Sequence, residues 1–311
     1  MGLHWNTKIL LAAVETTYGE DVTPAAANGV LTKDLAIMPM EGNDQERDLD
    51  LPYMGGRGAI STNLHAKLTF KVELAGRGIA GTPPAWGPLI RACGCAEVLP
   101  VGQDVVEYSP VSDSHESVSF YFFLDRTRHR ILGARGTCKI VLEAENIPYL
   151  EFEFTGLWAQ PTEAARVIPS NFAQFQKPFA VSSDNTPVFT LDGTALTMRS
   201  FSLDFGNQIE PRFLVGGESI LIADRREVVE AVVEAVPVTS FNVYSLARSR
   251  ATFPLRLTHG TGAGLTTEIE VDAAQMMRLN ALNEEQGVAE WPLRMSAEVQ
   301  SGNDQFLIRC S

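Results

Sequence analysis

Leu64, Ala66, Leu68, Phe70, Val72 and Leu74 alternate with His65, Lys67, Thr69, Lys71 and Glu73. A period of two with β-branched and aromatic members predicts a strand with one buried face over residues 64–74. The alternation returns at Val118-Phe120-Phe122-Leu124, at Cys138-Ile140-Leu142 and at Leu150-Phe152-Phe154. Gly133, Gly136 and Pro148 punctuate the intervals. Short strands at this spacing predict an antiparallel sandwich or barrel. Two short helices are expected between strands. The first has Thr82 as cap, Pro83 and Pro84 in its opening turn, and Ala85 to Cys93 as its body, weakened at Gly87-Pro88. The second runs from Phe241 to Arg250 with Thr239 or Ser240 as cap. Arg225 to Ala235 is ambiguous. Glu227, Glu230 and Glu234 fall at helical spacing, but Val228, Val229, Val232 and Val233 favour extended chain, and a strand is expected.

The second half repeats the plan of the first. Gly55-Gly56 follows Tyr53 and Met54, and Gly216-Gly217 follows Leu214 and Val215. Glu73 and Glu234 each close a strand-like run beyond, and both landmarks share one offset (216 − 55 = 161; 234 − 73 = 161). Each half reads as strands, a short helix, then strands. The expected architecture is mainly β, with two tandem β-sandwich domains, each with a short flanking helix. Their bounds are 1–160 and 191–311. Residues 161–190 form the linker, broken by Pro161, Pro169, Pro178 and Pro187, while Phe172, Phe175 and Phe179 suggest that it packs on a domain. Two copies of one unit point to a ring or array and to an assembling structural protein.

Composition narrows the partners. The 311 residues are 45% apolar and 20% charged, an ordinary globular balance. A net charge of −13 argues against a chain that grips nucleic acid; it reads first as plain solubility, and it would also suit a surface past which DNA slides. The run Ile9 to Val14 is too short to span a bilayer, and no signal peptide or membrane partner is expected. Cys93, Cys95, Cys138 and Cys310 have no zinc spacing and read as buried reduced thiols from a reducing cytoplasm.

Candidate chemistry is sparse. Gly76-Arg77-Gly78-Ile79-Ala80-Gly81 matches the dinucleotide pattern GxGxxG. The strand before it alternates, where a parallel dinucleotide-binding strand is apolar on both faces, so a flexible loop is expected. No GxSxG, HExxH or GxxxxGK[ST] occurs, and His4, His65, His115, His129 and His259 stand apart, so no enzyme, cofactor or metal is expected. Glu41 to Gly58 is acidic and then glycine-rich, which suggests a partner-contacting loop. Arg126, Arg128, His129, Arg130 and Arg135 gather basic charge around a hairpin turn, suited to nucleic acid, to solvent, or to an acidic loop on a neighbouring subunit.

The opening Thr7-Lys-Ile-Leu-Leu-Ala-Ala-Val-Glu-Thr-Thr-Tyr-Gly-Glu-Asp-Val-Thr-Pro24 resembles the start of tail tube (major tail) proteins of long-tailed, non-contractile bacteriophages. Leu51-Pro-Tyr-Met-Gly55, Ala85-Trp-Gly-Pro-Leu-Ile-Arg-Ala-Cys-Gly94, Leu132-Gly-Ala-Arg-Gly136 and Phe154-Thr-Gly-Leu157 continue the likeness in order. Gly260-Thr-Gly-Ala-Gly-Leu265 and Gly302-Asn-Asp-Gln305 are similar to that family's other domain.

The resemblance implies a virion protein that polymerises as stacked rings into the tail tube, the conduit for DNA ejection. Strands of neighbouring subunits would close one barrel around the lumen, removing exposed edges. With two domains per chain the ring would be a homotrimer of pseudo-sixfold symmetry; a homohexamer ring is the alternative. The implied inter-ring loop is Gln45 to Asn63, with Arg47, Asp48, Asp50, Tyr53, Met54, Gly55 and Gly56 at its heart, and Gln208 to Ile222, with Gly216 and Gly217, as counterpart. Implied lumen residues are Lys67, Thr69, Lys71 and Glu73, and by the repeat Glu227, Glu230 and Glu234. Arg126, Arg128 and Arg130 would form a basic inter-subunit hairpin. Implied partners are the chain itself, the tail terminator, tape measure and distal tail proteins, and phage DNA passing without specific binding. The implied location is the virion tail, with assembly in the host cytoplasm. Other tail roles, such as terminator or baseplate hub, and a β-sandwich carbohydrate-binding module are the alternatives.

Overall fold

The computed structural model describes residues 2–311. The first half builds β1 (Lys8–Val14), β2 (Lys33–Glu46), β3 (Ala59–Glu73), α1 (Gly87–Ala92), β4 (Val118–Leu124), β5 (Thr127–Glu143) and β6 (Tyr149–Trp158). The second half builds β7 (Val188–Leu191), β8 (Met198–Asp204), β9 (Asn207–Leu214), β10 (Gly217–Arg225), β11 (Val228–Glu234) and α2 (Val243–Ser249). It ends with β12 (Thr252–His259), β13 (Thr267–Met276) and β14 (Val288–Ala297). The protein is mainly β, with extended antiparallel sheets and two short α-helices among the described residues.

Strand pairing repeats between the halves. In the first, β1 pairs with β4, β4 with β5, β5 with β6, β6 with β3 and β3 with β2. In the second, β7 pairs with β12, β12 with β13, β13 with β14, β14 with β11 and β11 with β8. The long hairpin of β2 and β3 is matched by a broken one, in which β8 continues into β9 and β10 into β11. The Arg226 amide bonds the Gly206 carbonyl across the break, at 3.1 Å. Arg225 to Ala235 is extended over Val228–Glu234, as its β-branched content requires.

Alternation buries one face of each long strand. Ala66, Leu68, Phe70 and Val72 of β3 meet Phe152 and Phe154 of β6 and Phe120 of β4, whose ring stands edge-on to Phe154 at 4.9 Å. The run Val118 to Leu124 is apolar at nearly every position because β4 is covered on both faces. Phe120 and Phe122 enter the main core, while Tyr121, Phe123 and Leu11 form a second cluster under Ala164 and Val167. The expected linker is thus a packed cover. The Ser170 amide donates to the Ala26 carbonyl at 2.8 Å, Asn171 Nδ2 donates to the Gly29 carbonyl at 2.8 Å, and Phe175 packs on the core.

Both helices are shorter than expected. Pro88 enters the first turn of α1, where its missing N–H costs nothing, so the helix opens at Gly87 with Trp86 at its cap and Thr82 in the preceding turn. Asn242, not Thr239 or Ser240, caps α2: its Oδ1 accepts the Ser245 amide at 2.9 Å.

The halves join into one sheet. The N-terminal part of β5 pairs with β4, and its C-terminal part pairs along the same edge with β8: Lys139 opposes Asp204, Val141 opposes Ser202 and Glu143 opposes Ser200. A second joint pairs Val106–Pro110 with Leu307–Cys310. One core cluster runs through both halves. Free Cys93, Cys95, Cys138 and Cys310 are all buried in it, and desolvation raises their thiol pKa values, that of Cys310 to about 12.

Candidate functional site

The face of the joined sheet opposite the core is polar. Pairing register places Lys67, Thr69, Lys71 and Glu73 of β3 beside Glu151 and Glu153 of β6. The row continues through Lys139 and Glu143 of β5, Asp204 of β8, Glu230 and Glu234 of β11, and Arg294 of β14. Carboxylates (Glu73, Glu143, Glu151, Glu153, Asp204, Glu230, Glu234, Glu290) therefore share this face with cations (Lys33, Lys67, Lys71, Lys139, Arg278, Arg294). Cross-strand pairs interleave the signs. Lys71 Nζ lies 2.7 Å from Glu151 Oε1, and Glu230 sits between Lys139 Nζ at 3.9 Å and Arg294 Nε at 3.8 Å. The face is acidic on balance, yet not uniformly so.

Glu227 does not join this row. Its parity puts it with Val229, Ala231 and Val233 on the core face, where it is 4% exposed. Its Oε1 lies 3.1 Å from Arg225 Nε without hydrogen-bond geometry. Burial raises its carboxyl pKa above the usual carboxylate range, and the nearby Arg225 only partly offsets that.

The two Gly-Gly landmarks sit at the tips of two arms. Residues 47–58 connect β2 to β3, closed by the Arg47 amide on the Gly58 carbonyl at 3.1 Å. Arg57 and Asp48 pair at 3.4 Å, Asp50 is exposed, and Tyr53 and Met54 are 80% and 100% exposed, with Gly55 and Gly56 beside them. Gln45 and Glu46 belong to β2 and 59–63 to β3, so the loop is tighter than Gln45 to Asn63. Gly216 and Gly217 lie at the turn from β9 to β10, beside fully exposed Val215. Gln208 to Ile222 is accordingly a hairpin, and it lies on the first half of its own chain.

Residues from both halves hold that hairpin. The Ile220 amide donates to Tyr18 Oη at 2.6 Å, and Arg135 Nη1 donates to the Ile220 carbonyl at 2.9 Å while its guanidinium covers the Tyr18 ring. Asn207 Nδ2 donates to the Cys93 and Gly136 carbonyls, and Arg225 Nη1 to the Val111 carbonyl at 2.7 Å. Below them buried Glu15 accepts from the Gly19 and Gly133 amides and the Ser117 and Ser119 hydroxyls. Gly133 is required there: its φ is +58°, and a Cβ would strike the Tyr18 ring. Of these, the family-like segments Thr7 to Pro24, Ala85 to Gly94 and Leu132 to Gly136 and the implied loop Gln208 to Ile222 carried a signal in the sequence.

Two other motifs have structural roles. Arg130 pairs with Asp21 at 3.5 Å and Arg128 stacks on Tyr121, whose hydroxyl bonds Asp21; Arg126 alone of the three is exposed. The GxGxxG segment meets the loop around Gly264: the Gly78 amide donates to the Gly264 carbonyl at 2.8 Å, and a Cβ on Gly76 would collide with that oxygen. These glycines permit backbone contact between the halves. Among the described residues no group of three or more His, Cys, Asp or Glu converges on a metal position, and no helix is long and apolar enough to cross a membrane.

A long edge strand, projecting arms and a broad polar sheet face are the build of an assembling structural protein. The chain belongs to the phage tail tube protein family, whose model matches residues 5–305. Its role is structural, in the virion tail. No curated protein matches the chain.

Proposed function

We propose that the chain polymerises as stacked rings of three copies, each ring pseudo-sixfold, into the tube through which phage DNA is ejected. The observation that carries this reading is the one-for-one match of the two sets of strand pairings, together with the β5–β8 joint. The match supports two tandem domains separated near residues 161–187. Within the chain, the β5–β8 joint makes two domains into one sheet. Repeating that joint between chains closes a barrel and leaves no free edge. The polar face then lines the lumen, where a net excess of carboxylates repels DNA phosphate and interspersed lysines keep the field shallow. Residues 47–58, with exposed Tyr53 and Met54, reach the adjacent ring. The tail terminator, tape measure and distal tail proteins are the further partners, met during assembly in the host cytoplasm.

Electron microscopy of purified chain and of virion tails, with end-on averaging, tests this. Hollow cylinders with three chains per ring are expected. Six chains per ring would overturn the trimer; absence of the chain from tail cylinders would overturn the role.

A further inference from the structure

In the first half β5 runs unbroken through the joint with β8. Its counterpart β13 stops at Met276, although β14 continues alongside. Met276 opposes Met295, the Met277 amide donates to the Arg294 carbonyl at 2.9 Å, and pairing resumes only where Asn283 opposes Glu290. Residues 278–282 therefore stand against 291–293, five against three, and bulge from the ladder. Arg278, Asn280 and Ala281 wall a depression of about 660 Å³ on the polar face, across from Lys139 and Glu230. Leu279 packs against the core.

The repeat says what this bulge replaces. Glu73 opposes Tyr149 and Glu234 opposes Glu290, so Tyr149 and Glu290 are equivalent. Asn283 now stands opposite Glu290 as Val141 stands opposite Tyr149. With the bulge drawn straight, the Met276–Met295 register would instead set residue 281 there, 279–283 would take the place of Lys139–Glu143, and the pairs from Asn283–Glu290 to Glu285–Val288 would shift by two. On the other side of the joint, Lys33, Ala36 and Met38 oppose Lys71, Thr69 and Lys67 as Ser200, Ser202 and Asp204 oppose Val232, Glu230 and Val228, 161 residues on. The outer edge of β2 is thus the free copy of the edge that β8 offers to β5.

We propose that ring closure is gated by residues 278–282. In the free chain they are bulged; on meeting a second copy they straighten, extend β13, and pair with the neighbour's β2. The register sets Leu279 against Met38, Ala281 against Ala36 and Asn283 against Lys33. Each pair is compatible in kind: Met38, 49% exposed in the free chain, gains an apolar cross-strand partner where the internal joint has Lys139 and Asp204. The bulge also keeps the acceptor edge unmade until then, which restrains uncontrolled edge pairing. This gate rests on the ring proposed above.

Hydrogen exchange on the unaltered protein, free and in tubes, tests the gate. Amides of 33–38 and 279–283 should both slow in tubes, by about a hundredfold. Slowing at 33–38 with 279–283 exchanging as in the free chain would overturn the gate and leave the ring standing. Failure of the chain to occur in tubes at all would remove both. As a second measurement, tubes carrying Met38→Cys and Leu279→Cys should yield disulfide-linked trimers on oxidation, since the native cysteines are buried. Intact tubes without that cross-link would overturn the register.

Discussion

The Tyr18 hydroxyl accepts the Ile220 amide at 2.6 Å, joining residues 202 positions apart in different halves of the chain. The Arg135 guanidinium lies over the same ring and donates to the Ile220 carbonyl. Removing the hydroxyl leaves a half-buried N–H without its acceptor. Tyr18→Phe should cost about 1–2 kcal/mol, read by denaturant unfolding, and hydrogen exchange should quicken in β9 and β10. Unchanged exchange there would mean that Arg135, Asn207 and Arg225 hold the arm without Tyr18.

Glu15 is 8% exposed and accepts from four donors, two amides and two hydroxyls. Glu15→Ala strips all four at once and should destabilise the fold by about 3 kcal/mol or more, whereas Glu15→Gln keeps the shape and should lose less. Equal losses would show that both carboxylate oxygens are needed, since the glutamine NH2 group cannot accept from the amide and hydroxyl that the replaced oxygen serves.

Strand identity was legible because a period of two is a local signal, as at residues 64–74 and 118–124. The repeat landmarks fell at matching tips for the same reason. What escaped were partners distant in sequence. Arg128 and Arg130 read as a basic hairpin suited to nucleic acid, solvent or a neighbouring subunit, and their contacts with Asp21 and Tyr121 were not legible because only the pairing of β1 with β4 brings those residues to them. The repeat grouped Glu227 with Glu230 and Glu234 as lumen residues, but in an extended chain residues three apart point to opposite faces, and Glu227 lies on the core side. Asn242 was overlooked as a cap because Thr239 and Ser240 compete for that role by type, and only backbone geometry separates them.

Glycines at different places should respond differently. A Cβ on Gly264 would meet the backbone of Gly78 and Ile79, and its φ is +76°. Gly264→Ala should therefore destabilise by about 2–3 kcal/mol. Gly56 has open space around its Cα, and Gly56→Ala should stay within about 0.5 kcal/mol. The same measurements with millimolar NAD should show no rise in Tm, since Gly76 and Gly78 are occupied by the Gly264 loop.

Residues 48–58 touch the body of the chain little. Asp48, Tyr53, Met54, Gly55 and Gly56 are all exposed. Deleting 48–58 and closing the hairpin with a two-residue turn should leave Tm nearly unchanged while abolishing tube growth beyond a single ring, read by electron microscopy. Long tubes from that variant would show that ring stacking uses another surface.

Glu227 gives a dependence on pH. Its carboxyl is raised above the ordinary value of 4.5 mainly by burial, so the folded chain holds this proton at a pH where the unfolded chain has released it. Below the unfolded value both states are protonated, and the group contributes nothing. Through the window between the ordinary and the raised value, stability falls as pH rises, and the loss persists at neutrality. Other carboxylates contribute their own slopes, so the readout is the difference between Glu227→Gln and the parent. That difference should be near zero at acid pH and should favour the variant at pH 7, because the amide needs no desolvation of charge. A variant less stable than the parent at pH 7 by more than about 1 kcal/mol would instead mean that the Arg225 ion pair outweighs the burial of Glu227.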